Sequence, residues 1–157
     1  MVRCKSTSRL SKIKDKVILT QTDTTVGFLS QNSTKLYSIK SRPNNKEFIK
    51  VYSSFKTLLA YNHRIPTSQK NLIRRSNKTT FILKNKAFRV ALSSLNSQIL
   101  RNSLWSYSTS ANESTKSFNR EFCEQKADII IEDVNSLQEN TSSKLIKINS
   151  IKRQVLR

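Results

Sequence analysis

The chain has 157 residues, 36% of them hydrophobic and 25% charged, which is enough for one domain of ordinary size to bury a core without disulfides or a structural metal. Its 29 Lys and Arg against 10 Asp and Glu give a formal charge of +19. That field concentrates polyanions and fits a nucleotide or RNA partner, although a composition weighted toward Lys, Asn, Ile and Ser accounts for part of it. Cys4 and Cys123 lie far apart without CxxC spacing and His63 is the sole histidine, which excludes the familiar metal-ligand motifs. There is no signal-peptide pattern and no apolar run of membrane-spanning length, so a cytoplasmic protein making no membrane contact is expected.

Residues 1–15 are basic and Ser-rich and read as a flexible N-terminal arm, with a single domain over 16–157. Lys16 to Thr20 (KVILT) is a short strand, followed by the polar turn Gln21-Thr22-Asp23-Thr24 and a second strand around Gly27-Phe28-Leu29. Leu36, Tyr37 and Ile39 predict a short helix over Asn32 to Lys40, stopped before Pro43. Phe48 to Tyr52 is strand-like, and Phe55, Leu58 and Leu59 at i, i+3 and i+4 suggest a helix running toward His63. TTFIL (Thr79 to Leu83) and FRVAL (Phe88 to Leu92) flank polar Lys84-Asn85-Lys86 and predict a hairpin. A helical stripe at Leu95, Ile99 and Leu100, an extended run from Leu104 to Thr109, and a Phe118/Phe122 pair at i and i+4 follow. Then come a buried strand at Ile129-Ile130-Ile131 and two short extended runs, Lys144 to Ile148 and Ile151 to Leu156. This order predicts an α+β (or α/β) fold, a twisted mixed sheet flanked by helices, with no internal repeat.

Three polar clusters stand at the ends of these elements, where scaffolds present functional side chains. Gln21-Thr22-Asp23-Thr24 can hold the amino and hydroxyl groups of a small ligand, or can equally be a turn with side-chain to backbone bonds. Lys40-Ser41-Arg42-Pro43 with Lys46 places three cations on a chain that Pro43 forces out of helix. Such a loop can clamp phosphates or be a solvated basic loop. Ser108-Thr109-Ser110-Ala111-Asn112 is a hydroxyl-rich segment that can serve a ligand or a helix N-cap.

Taken in order, V-I-L-T-Q-T-D-T-T-V-G-F-L, Y-S-I-K-S-R-P-N-N-K, T-T-F-I-L, F-R-V-A and S-T-S-A-N-E-S resemble the pieces PTDTVYG, KxRP with a following Lys, TxxL, VRxP and PSAN of the YrdC/YciO family. Ser142 to Ile146 and Val155 to Arg157 resemble that family's last strand and its Arg-bearing end, so the resemblance covers about residues 16–157. It implies a threonylcarbamoyl-AMP synthase, a nucleotidyltransferase that forms threonylcarbamoyl-adenylate and pyrophosphate from L-threonine, bicarbonate and ATP, with Mg²⁺ as helper. The product would serve the t6A modification of tRNA adenosine 37, through a downstream threonylcarbamoyl-transferase complex. By the same likeness Lys40, Arg42, Lys46, Thr80, Ser110, Asn112 and Arg157 bind ATP, while Thr22, Thr24, Arg89 and Ser143 bind threonine and carbamate. No side chain is singled out as a covalent catalyst or metal ligand. The chain departs from the family pattern at Gln21, Val26, Glu47 and Val51. The alternative expectation is a YrdC-like module that binds double-stranded RNA or tRNA without synthase activity.

Overall fold

The computed structural model describes residues 2–4, 10–41, 47–61, 64–91, 94–113 and 116–157. Among the described residues ten strands form one mixed sheet. In chain order they are β1 (Val2–Cys4), β2 (Ile18–Gln21), β3 (Val26–Ser30), β4 (Ile49–Tyr52), β5 (Thr79–Leu83), β6 (Lys86–Val90), β7 (Trp105–Ser110), β8 (Ile129–Ile131), β9 (Lys144–Ile148) and β10 (Arg153–Val155). Their spatial order is β1-β8-β2-β3-β7-β4-β6-β5-β9-β10. The pairs β2/β8, β4/β6 and β5/β9 run parallel and the rest antiparallel, so the predicted mixed sheet is the observed one.

The helices are α1 (Ser33–Lys40), α2 (Phe55–Ala60), α3 (Thr67–Arg75), α4 (Ser94–Arg101) and α5 (Arg120–Lys126), with a 3-10 turn at Leu10–Asp15. Asn32, Ser54 and Asn119 cap α1, α2 and α5 by accepting from the backbone N–H of Lys35, Thr57 and Phe122. Helix α1 ends on Ser41 in the left-handed conformation (φ 46°); Pro43, the expected stop, lies outside the described residues. Helix α3 is absent from the sequence-based expectation. It starts at Pro66–Thr67 with no side-chain cap, and buries only Gln69 and Ile73, so it carries neither a start signal nor a full apolar stripe. The predicted hairpin turns on Lys84 and Asn85, both at positive φ (49° and 64°), as a two-residue turn requires. Val2–Cys4, which the sequence reading placed in the arm, pairs with β8 at one edge of the sheet.

Paired residues share a sheet face, and alternate residues change face. On one face Leu19, Val26, Phe28 and Ile130 pack with Leu36 of α1 and Cys123 of α5. On the same face Tyr52, Phe81 and Phe88 pack with Leu58 of α2 and Ile73 of α3. The opposite face carries a small cluster, Val51, Ala91 and Leu100 of α4 with Ile49 against it, and also buries the paired Ile18 and Leu29, while polar side chains stand beside them.

Candidate functional site

Strand β7 reads W-S-Y-S-T-S, so Ser106, Ser108 and Ser110 alternate onto the lightly covered face while Trp105 and Tyr107 turn to the other. Gly27 of β3 stands opposite Ser110 and Leu29 opposite Ser108. Gly27 is the chain's single glycine, and a Cβ there would come to 2.9 Å from both the Thr109 carbonyl oxygen and Thr22 Cγ2. The absence of a side chain therefore lets the Thr22 turn lie down on β7.

That close approach forms one wall of a cavity of about 400 Å³, lined among others by Thr22, Thr24, Arg89, Ser110, Ser143 and Arg157. Thr22 organises the turn: its hydroxyl donates to the Thr25 carbonyl at 2.7 Å and lies 3.3 Å from the Thr24 hydroxyl. The turn reading of this cluster is the observed one, and the same threonines line the cavity.

Arg89, only 7% exposed, is held entirely by hydroxyls. Its Nε and Nη2 donate to Thr80 Oγ1 at 3.2 and 2.8 Å, and Nη1 donates to Thr24 Oγ1 at 2.8 Å. Thr80 Oγ1 in turn lies 2.9 Å from Ser143 Oγ, which ties β6, β5 and the segment before β9 into one network. A guanidinium has five N–H donors, so this arrangement leaves one on each terminal nitrogen for a ligand. Burial pulls the Arg89 guanidinium below the ordinary arginine range; the Asp23 carboxylate offsets this in part and Arg157 adds to it. Asp23 is itself positioned by Asn96 Nδ2, which donates to Oδ1 at 3.3 Å. A buried, rigidly held cation facing a cavity has the chemistry to receive a carboxylate or phosphate.

Arg157 reaches the same cavity from the chain end, its Nε donating to the Ser143 carbonyl at 3.3 Å. Lys40 and Asn112 stand behind the wall. The Lys40 ammonium, 5% exposed, donates to the carbonyls of Ser110 and Asn112 at 3.1 and 2.6 Å and to Asn112 Oδ1 at 2.5 Å. Ser110 Oγ donates to the same amide oxygen at 2.7 Å, and Asn112 Nδ2 donates to the Lys116 carbonyl. Lys40 thus fixes the loop that carries Ser110. Arg42 and Lys46 lie outside the described residues, as does His63. The sequence reading did not single out Gly27, whose signal was its being the only glycine in a strand, nor Asn96, which positions Asp23 behind Arg89.

Fold and cavity together define an α+β mixed-sheet protein with a hydroxyl-lined recess built around a buried arginine. The Sua5/YciO/YrdC family model, described as "Telomere recombination", matches residues 13–157, and the chain belongs to that family. No curated protein matches it. Among solved structures it is similar to P. abyssi Sua5 complexed with L-threonine (TM-score 0.74, 18% identity, 90% of this chain and 50% of that one). It is also similar to E. coli YciO (0.69, 18%, 92% and 83%) and to full-length HypF in a phosphate- and nucleotide-bound form (0.76, 11%, 100% and 25%). These identities establish the fold alone, and the chain spans about half the length of the Sua5 chain it matches. Among the described residues no helix is long and apolar enough to cross a membrane.

Proposed function

We propose that the chain is a threonylcarbamoyl-AMP synthase and that the Arg89 cavity is its threonine and carbamate site. The observation that carries this reading is the convergence of Thr24, Thr80, Arg89 and Ser143 from four separate segments into one hydrogen-bonded unit with two donors to spare. Those donors suit the carboxylate of L-threonine bidentately, and Thr22 and Ser110 supply hydroxyls for its polar groups. The Sua5 structure in complex with L-threonine and the nucleotide-bound HypF structure share this fold, which supports a joint amino-acid and nucleotide site.

In this reading the threonine amine condenses with bicarbonate, releasing water, to a carbamate. A carbamate oxygen then attacks the ATP α-phosphorus, and the bond from that phosphorus to the bridging oxygen breaks, releasing pyrophosphate. The chain contributes positioning and positive charge against the repulsion between two anions, Arg89 at the carboxylate and Arg157 toward the phosphates, with Arg42 and Lys46 as the further phosphate ligands that the family resemblance implies. Mg²⁺ would enter as part of the Mg·ATP substrate and offset charge on the phosphates. The adenylate would pass to a threonylcarbamoyl-transferase acting on tRNA.

The test is pyrophosphate release from ATP by the purified chain with threonine and bicarbonate each present or omitted, beside an Arg89→Met variant. Release that needs both co-substrates and is lost in the variant is the expected outcome. The charge of +19 supports a second reading, an RNA-binding module without turnover. Salt-dependent duplex RNA binding with no pyrophosphate release would replace the first reading with the second.

A further inference from the structure

A second concavity lies on the helix-covered face. There β4 and β7 run between the two apolar clusters, and the α1 side and the α2 side leave the sheet floor open over a cleft of about 650 Å³. This volume is in the range of small-molecule sites, roughly 300–1,000 Å³. It meets the first cavity only at Glu47 and Phe48, which line both. The register separates the rest: Lys50 stands opposite Tyr107 on this face, whereas Ile49 and Ser108 stand opposite each other on the Arg89 face.

Two features mark the cleft. The first is its rings. All four tyrosines and the single tryptophan of the chain fall in one run of contacts, from Tyr37 to Phe48 (4.5 Å), Tyr107 (6.4 Å), Trp105 (5.2 Å), Tyr61 (6.5 Å) and Tyr52 (6.3 Å). Tyr37, Tyr61 and Tyr107 line the space, and Tyr61 is 40% exposed at its mouth. The second is charge. Four cations, Lys50, Arg64, Lys84 and Lys86, line the cleft against one carboxylate, Glu47. Lys50 Nζ sits 3.7 Å from the Trp105 ring centroid, and no ion pair to Lys50, Arg64, Lys84 or Lys86 occurs among the described residues. Burial, and then the neighbouring Lys86, pull the Lys50 ammonium below the ordinary lysine range, so the two lysines repel and an anion between them relieves both.

We propose that this cleft is a second, nucleotide-binding site, taking a planar base against its tyrosine rings and the attached phosphate on Lys50 and Lys86. Rings with interspersed cations are the chemistry that holds a base and its phosphate together, and an acidic side chain lacks the π-face that the rings reward. The same chemistry is presented by a free mononucleotide and by one nucleotide of a single-stranded RNA. The proposal does not rest on the synthase reading, because its residues lie on the other face of the sheet.

Trp105, the only tryptophan, lies under Lys50 and reports occupancy by its emission. The full chain is titrated with AMP, with a short oligouridylate, with pyrophosphate and with a hexaglutamate peptide, at low and at physiological salt. Saturable quenching by AMP or by the oligouridylate is expected. It should weaken at least tenfold in Lys50→Ala/Lys86→Ala, and Tyr61→Ala should weaken the nucleotides while leaving pyrophosphate unchanged. Comparable affinity for both nucleotide probes marks a mononucleotide site; oligouridylate binding with a steep salt dependence and weak AMP binding marks an RNA strand. No quenching at millimolar probe, equal binding of hexaglutamate, or unchanged affinity in the lysine variant overturns the proposal. Threonine-dependent pyrophosphate release should survive the lysine substitutions. Its loss in a folded variant would make the cleft part of the first site and sink the assignment of a second one. Should Lys50→Ala fail to fold, Lys86→Ala and Tyr61→Ala, both at exposed positions, carry the same comparison.

Discussion

Replacing Arg89 by Met separates a ligand-binding arginine from a structural one. The substitution removes three hydrogen bonds, two to Thr80 and one to Thr24, yet neither hydroxyl is orphaned. Thr80 keeps Ser143 at 2.9 Å and Thr24 keeps Thr22 at 3.3 Å. The wild-type chain bears the desolvation of a guanidinium with no direct ion pair among the described residues, and Met of similar length relieves it. The stability change in urea is therefore expected within about 1 kcal/mol of zero. Threonine binding, in contrast, loses two charge-assisted bonds to the carboxylate, about 3 kcal/mol, or on the order of a hundredfold in Kd by calorimetry. Thr80→Val should do the reverse to stability. It leaves the Arg89 Nε and Nη2 donors buried without their acceptor, at about 2–3 kcal/mol, and adding Arg89→Met to it should recover most of that loss. An Arg89→Met chain that unfolds more easily by 3 kcal/mol or more, with threonine affinity unchanged in its folded fraction, would refute the reasoning.

Gly27→Ala forces a methyl to 2.9 Å from the Thr109 carbonyl oxygen; a loss of about 1–3 kcal/mol in urea, with weaker threonine binding, is expected. Lys40→Ala frees the carbonyls of Ser110 and Asn112 and should cost about 2–3 kcal/mol, so activity lost in that variant must be compared at equal folded fraction, by circular dichroism at the assay temperature. The fully buried Tyr52 phenol is pushed up to about 12, by burial first and then by Tyr107 and Tyr61. A folded-state pKa above the unfolded value gives stability that is complete below pH about 10 and lost as the pH rises toward 12. Wild type minus Tyr52→Phe in urea melts across that window should therefore decline by about 2 kcal/mol, and a flat difference would contradict the burial argument.

Much of the fold is legible locally. β2, β5, β6 and β9 announce themselves by short apolar or β-branched runs, α1 by Asn32 and its Leu36/Ile39 stripe, and the hairpin by Lys84-Asn85. Helix α3 escapes because Thr67–Arg75 is mostly polar and is held through two buried residues by partners that the local pattern does not name. The candidate site divides in the same way. Thr22, Thr24, Lys40, Arg89, Ser110 and Ser143 were all picked out by their resemblance to ordered motifs, and by charge alone Lys40 could equally belong to a solvated loop. Nothing near Lys40 in sequence discloses that its ammonium meets carbonyls 70 and 72 residues away.

The sequence by itself determined most of the strands and helices, though not α3 or β1, because side-chain periods of two and near four act within a few residues. It also determined the stock of hydroxyls, cations and rings. Only the tertiary structure decided which of them meet. Arg89 and Thr24 are 65 residues apart and Thr80 and Ser143 are 63 apart, and both contacts exist because the strand order brings distant segments side by side. The fold also gathers Tyr37 of α1, Tyr52 of β4 and Tyr61 at the end of α2 beside Trp105 and Tyr107 of β7 on the opposite face, a cluster with no local sequence signature because three of its five rings arrive from distant elements.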